Sequence, residues 1–322
     1  MRSKGVSYAR YGYIFCIPFV LAFLICSLYP VLYTAIIGFT DLRGLGIKDL
    51  NFLSNPFENF ISIMQNGAFR QSLFNTAVIW IMNFIPQILL AFVLTSWFTR
   101  HRYKMKGQGA FKVIFYMPNI ITAATVGILF YAMFSYPMGP VNHVLQNLGI
   151  IDAPYNFRID PWAGRIIVAF IQFWMWYGYT MLILISGVLG LNTEMFESAA
   201  IDGAKPSQTF LRIIMPNMKT ITLYIMVTSM IGGLQMFDIP KVFLDGMPDG
   251  ATTTVSLFIY KRAFSGAYLL SSAAAASMIL FVLIAVLSAF IFFIMRDRDE
   301  AAFHKMEKQR IKAMKAARRA GK

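Results

Sequence analysis

The sequence predicts an all-α membrane protein: six transmembrane helices, with a short helix-bearing loop between the fourth and the fifth. Three observations carry that expectation. Of the 322 residues, 57% are hydrophobic and 14% charged, whereas soluble domains carry about 25% charged residues. The apolar residues gather into six charge-free runs of 18 to 30 residues, and a bilayer core about 30 Å thick asks for about 20 apolar residues in a spanning helix. Lys and Arg cluster beside these runs. With both chain ends on the cytoplasmic side, 21 of the 29 cations fall inside and 8 outside, as the positive-inside rule requires.

Residues 1–10 form the inner N-terminus, with Arg2, Lys4 and Arg10 ahead of the first apolar run. That run, Tyr11 to Thr40, is too long for the 7 to 15 residue core of a signal peptide and reads as an uncleaved span, bent by Pro18 and Pro30. A mixed segment to Gln71 leads into span two, Ser72 to Thr99, interrupted by Asn75, Asn83, Pro86 and Gln87. Arg100, Arg102, Lys104, Lys106 and Lys112 mark the inner face. Span three is expected from Val113 to about Phe134, and an outer loop with Pro137, Gly139, Pro140, Pro154 and Pro161 follows it. Span four, Ile166 to Leu189, holds Gln172, Phe173, Trp174, Trp176, Tyr177 and Tyr179. After the 191–219 loop come span five (Thr220 to Phe237), an outer loop with both signs of charge, and span six (Tyr268 to Met295). The membrane domain thus covers 11–295 and a basic inner tail 296–322, where 10 cations lie.

Several classes of chemistry are excluded. A net charge of +14 would suggest nucleic acid in a soluble protein, but here it sits beside spans. Cys16 and Cys26 share one helix ten residues apart, about 15 Å, beyond disulfide reach. His101, His143 and His304 lack metal-ligand spacing, and no phosphate-binding loop or hydrolase motif is present. The spans contain no Asp or Glu, which weakens an ion-coupled carrier, since such carriers often place an ionisable group at mid-membrane.

The loop 191–219 has the grammar of two small helices. Asn192 and Thr193 suit a cap, Glu194 and Glu197 a first turn, and Gly203 a helix end. Met195, Phe196, Ala199, Ala200 and Gly203 should form one face, and Glu194, Glu197, Ser198 and Asp202 the other. A second helix opens at Pro206-Ser207, carries Phe210, Ile213 and Ile214 as its apolar stripe, and should stop before Pro216. Composition alone also allows an ordinary inner loop resting on the bilayer.

The pattern of Glu197, Ala199, Gly203, Ile213 and Pro216 resembles the Glu-Ala-Ala loop of ABC-transporter permease subunits, with Ser198 in place of the first Ala and Met215 in place of a Leu. Weaker matches in the same order are similar to the carbohydrate importers of the maltose and glycerol-3-phosphate branch. They are Tyr29-Pro30, Asn75-Thr76, Asn142, Gly246-Met247-Pro248, Thr252 to Thr254, and Tyr260 to Phe264. The resemblance implies the type I importer permease fold in a bacterial inner membrane. It also implies a second related permease, two copies of a cytoplasmic ATPase that bind ATP and Mg, and an extracytoplasmic sugar-binding protein. No cofactor, metal or catalytic residue is then expected in this chain. The loop, Ser198 included, would dock on the ATPase: Glu197 and Asp202 through polar contacts, Ala199 and Gly203 by close approach, with Ile213 and Pro216 fixing the loop to span five. The large extra domain of maltose-type first subunits is missing, which counts against maltose itself. Glycerol 3-phosphate, an ion-coupled carrier and a membrane-embedded enzyme stand as alternatives.

Aromatic faces stack on sugar C–H surfaces, and amides satisfy hydroxyls that are otherwise costly to desolvate. Asn83, Gln87, Gln172, Trp174, Trp176, Tyr177 and Gln235 are therefore candidates for the solute path. The competing account makes them interfacial aromatics and amide links between helices. In the tail, Phe303, Met306, Ile311 and Met314 among cations suit a basic helix on anionic lipid, with an ATPase contact as the alternative.

Overall fold

The computed structural model describes residues 9–44, 50–99, 106–295 and Arg310. Apart from Arg310, the expected tail helix over 301–322 lies outside the described residues, as do the flanking cations Arg2, Lys4, Arg100, Arg102 and Lys104.

Among the described residues, five helices are long and apolar enough to cross a membrane: Tyr11–Ile37 (α1), Gly67–Phe98 (α3), Pro161–Leu189 (α7), Lys219–Phe243 and Leu270–Met295 (α13). A sixth crossing is possible only as a bent pair, Gln108–Ile120 (α4) and Ala123–Met133 (α5), whose axes differ by 87°. Between these run Glu58–Gln65 (α2), Pro140–Asn147 (α6), Glu194–Ile201 (α8), Pro206–Thr209 (α9) and Val255–Phe264 (α12). Lys219–Phe243 itself resolves into Lys219–Leu234 (α10) and Asp238–Phe243 (α11). Among the described residues there is no named strand, only one isolated bridge between Thr40 and Phe52.

The span expected over 113–134 is broken near its middle. Ile121 is extended (φ −73°, ψ 136°), and the chain restarts at Thr122, whose hydroxyl accepts from the Thr125 N–H. Asn119 donates its amide to the Met175 carbonyl at 3.2 Å, which ties the end of α4 to α7. Pro118 sits one residue before this bond.

α1 contains a π-turn at Leu24–Leu28, and a second π-turn occupies Phe210–Ile214. Each ends two residues before a proline, Pro30 or Pro216. In a regular helix the proline ring collides with the carbonyl four residues back, and a widened turn relieves that collision. In both turns the residue just before the proline donates to a carbonyl five residues back: Tyr29 to Leu24 and Met215 to Phe210.

The chain divides into two compact units, residues 1–72 with 255–283 and residues 73–254 with 284–322. In the first, Asn59 donates to the carbonyls of Gly38 (3.0 Å) and Thr40 (2.9 Å), and Ser271 to that of Leu42 (3.1 Å). Arg262 donates to the Ser272 hydroxyl at 2.8 Å. The small residues Ala273 to Ala276 are buried in this unit, as suits helices that approach closely in a membrane.

The second unit is built on α7. One apolar cluster joins Ala91, Leu94 and Phe98 of α3 to Tyr177, Met181, Leu184 and Val188 of α7, and takes in Phe196, Phe210 and Ile214 of the 191–219 segment. The other joins Ile79 of α3, Val126 and Phe130 of α5, Ile167, Val168, Ala169 and Ile171 of α7, and Ile239 and Phe243 of α11. Two glycines permit these contacts. A Cβ on Gly178 would collide with the Phe115 carbonyl, so α4 and α7 touch backbone to backbone, and one on Gly127 would lie 2.8 Å from Val242 of α11.

Candidate functional site

The second unit encloses a cavity of about 360 Å³ between α3, α7, α10 and the start of α11, within the usual size range of small-molecule sites. Four amide side chains line it: Asn83 and Gln87 from α3, Gln172 from α7, and Gln235 just past α10. Gln87 donates to the Thr180 hydroxyl at 2.7 Å, which links α3 to α7 across the cavity wall. Trp176, Tyr179 and Tyr224 supply aromatic surface; Thr228 and Ser229 supply hydroxyls. Among the described residues, Asp238, exposed at the head of α11, is the one ionisable acid or base on the wall apart from the tyrosines.

Five of the seven sequence-predicted path residues meet here, namely Asn83, Gln87, Gln172, Trp176 and Gln235. Trp174 and Tyr177 do not. Trp174 packs against both apolar clusters, and Tyr177 is a buried member of the first, edge-on to Phe115 at 6.3 Å. The reason is helical phase: Gln172, Trp176, Tyr179 and Ile183 follow one another at the three- and four-residue steps that share a face. Trp174 and Tyr177 fall out of that sequence. Tyr224, Thr228 and Gly232 of α10 follow the same rule and were missed; their four-residue spacing was the available signal.

The 191–219 segment forms the two expected small helices, a helical knob, with changed details. Asn192, rather than Thr193, serves as the cap: its carbonyl oxygen accepts from the Glu194 N–H at 3.0 Å, while Thr193 is itself helical without a side-chain cap. Gly203 (φ +73°) ends α8. The pair of bonds from Ala204 N–H to Ala199 O (2.9 Å) and Gly203 N–H to Ala200 O (3.2 Å) is a Schellman closure. Gln208 accepts from the Lys205 N–H at 2.8 Å to start α9. The helix does not stop before Pro216 but runs through the π-turn to Asn217.

Glu197, Ser198, Asp202 and Gly203 are exposed, as is Ile201 at 87%. Two assignments need correction. Ala199 is buried beside Phe196 and faces its own chain, so it offers no surface for approach from outside. Pro216 is exposed and Ile213 half-buried, so the anchors of the loop are Phe210, Ile214 and Met218.

Outside the apolar helices, Asp160 caps α7 by accepting from the N–H groups of Trp162 (2.7 Å) and Ala163 (3.2 Å), and it accepts from the Tyr155 hydroxyl at 2.6 Å. The Tyr155 bond first, then these backbone bonds, hold its carboxyl below the ordinary value of 3.8. Asn142 clamps the same loop, donating to the Tyr155 carbonyl (3.1 Å) and accepting from the Tyr155 N–H (3.0 Å).

Apolar helices around an amide-lined cavity, with a protruding helical knob rooted in the same core, define a membrane transport subunit. Residues 143–299 match the family described as binding-protein-dependent transport system inner membrane component. That match covers just under half of the chain, and the relatives the chain resembles are permease subunits of sugar transport systems. It is 28% identical to the lactose transport system permease protein LacF of Rhizobium radiobacter, over 89% of this chain and 94% of that protein. It is 26% identical to the trehalose/maltose transport system permease protein MalF of Thermococcus litoralis, over 86% and 90%. It shares the fold of a chain of a bacterial ABC transporter involved in alginate import, with a TM-score of 0.73 at 22% identity over 90% of this chain and 96% of that one.

Proposed function

We propose that this permease carries a sugar or oligosaccharide, received from an extracytoplasmic binding protein, across the bacterial inner membrane by alternating access. The observation that carries the reading is the cavity wall: amides and hydroxyls that both donate and accept, beside the exposed ring of Trp176. Sugar hydroxyls lose their water only where such groups replace it. The names of the related proteins, which cite lactose, arabinooligosaccharides and trehalose/maltose, point the same way.

The force comes from outside the chain. A second related permease completes the path, and two copies of a cytoplasmic ATPase, holding ATP and Mg, close beneath the pair. Glu197, Ser198, Asp202 and Gly203 face that ATPase, and both chain ends lie on its side of the membrane. Phe210 and Ile214 root the knob in the α3–α7 cluster, so a push on the knob moves the helices that line the cavity.

The test is Gly203→Asp in the copurified complex. A side chain at Gly203 meets nothing within 4 Å in its own chain, and the strain of placing it at φ +73°, about 1–2 kcal/mol, is confined to the end of α8, so the spans still insert. Stimulated ATP hydrolysis and sugar uptake are expected to fall together. Undiminished uptake, or a lone permease that transports without an ATPase, refutes the reading.

A further inference from the structure

Resting on that reading, we infer that this cavity admits neutral saccharides and rejects anionic ones, with Asp238 as a specificity-determining residue. Among the described residues no Lys, Arg or His lines it, and its one carboxylate is Asp238. A carboxylate or phosphate entering would shed its water and meet amides, hydroxyls and an acid of its own sign, which disfavours the anion on both counts. A neutral sugar pays neither penalty.

Two of the cations near the site along the chain, Lys241 and Arg165, are already committed. Lys241, one turn beyond Asp238, pairs with Asp245 at 2.9 Å and does not line the cavity. Arg165 lies two turns before Gln172 on α7. Its Nε and Nη2 donate to the Asn75 carbonyl oxygen at 3.1 and 2.9 Å, and its guanidinium stacks on the Trp162 ring at 4.9 Å. Turning either cation toward a solute would break these contacts. The inference therefore sets this chain apart from an importer of acidic polysaccharide with which it shares a fold, and from the glycerol 3-phosphate alternative.

The experiment measures saccharide binding by saturation-transfer NMR on the whole importer complex in nanodiscs without its binding protein, so that the selectivity of the binding protein does not enter. The probes are matched pairs, cellobiose with cellobiouronate and galactobiose with digalacturonate, which differ only in carboxylates. The neutral member of a pair is expected to bind at least about tenfold more tightly, a difference of about 1.4 kcal/mol. Asp238→Asn should narrow that gap, and Thr228→Lys, a cation placed on the cavity wall, should invert it. Equal or tighter binding of the uronates to the wild-type complex overturns the inference while leaving sugar transport intact. If no probe binds, or if Gln172→Ala and Trp176→Ala leave every signal unchanged, the assignment of this cavity to the solute path fails and the inference falls with it.

Discussion

Replacing Asn75 by Ala should destabilise the protein more than any other single amide truncation, because one side chain holds three partners. Its Nδ2 donates to the carbonyls of Gly250 (2.7 Å) and Thr253 (3.1 Å), while its Oδ1 accepts twice from Arg165. Asn75 is fully buried and Arg165 only 8% exposed. Net contributions of about 1 kcal/mol for each neutral bond and about 1.5–3 kcal/mol for the charged contact sum to roughly 3–5 kcal/mol. For a unit of this size that is a drop of order 10 °C in midpoint. Asn75→Asp isolates the two halves: the carboxylate pairs with Arg165, but nothing donates to the two carbonyls, so roughly 2 kcal/mol should be lost. Adding Arg165→Met to Asn75→Ala removes the stranded cation and should recover part of the loss. Tryptophan-fluorescence melting of the detergent-purified complex measures all of these. An Asn75→Ala midpoint equal to wild type, or a double variant worse than the sum of the singles, refutes the reasoning.

Gly178→Ala sets a Cβ against the Phe115 backbone, so the overpacking should cost more than about 1–3 kcal/mol. The control, Gly232→Ala, meets open space on α10 and should raise the melting midpoint slightly through helix propensity. Ile201→Asp, at a residue 87% exposed at the end of the knob, should leave the midpoint unchanged and abolish stimulated ATP hydrolysis. Phe210→Ala removes a buried ring that packs edge-on to Phe92 at 6.2 Å. It should cost about 3–5 kcal/mol by melting and lower the transport achieved per ATP hydrolysed. The depressed carboxyl of Asp160 stabilises the 142–160 loop above its unfolded pKa, and that contribution is lost as pH falls through the folded pKa. A carbon-13 carboxyl titration should therefore place its midpoint below 3.8, and Tyr155→Phe should move it upward.

Hydropathy made most spans legible to within a few residues, because length and lack of charge are what lipid selects. It could not show the break in the 113–134 run. Ile121 and Thr122 sit between apolar neighbours, and the bond that ties down Asn119 comes from Met175, 56 residues away. Gln172 and Trp176 reached the cavity wall for a reason written in the sequence, their shared helical face. Trp174 and Tyr177 share only the residue type, and type does not set phase. Ala199 shows the opposite limit. Its place in a family pattern fitted an outward contact, but only the turn of α8 reveals that it shares the inner face with Phe196.

One helix joins the two ends of the proposed mechanism. On α7, Leu184 and Val188 pack with Phe196 and Phe210 of the knob, while Gln172, Trp176, Thr180 and Ile183 line the cavity. Sixteen residues separate Val188 from Gln172, about 24 Å of helix at 1.5 Å per residue. α7 runs unbroken over this length, so displacement of the knob cannot be absorbed locally and must tilt the wall. The neighbours of α7 differ in this respect. α4 and α5 are broken at Ile121, and α10 gives way at Gln235 to the short α11, so the wall has a stiff side and a side with joints. A cavity bounded in that way changes shape when its stiff side is tilted, which alternating access demands.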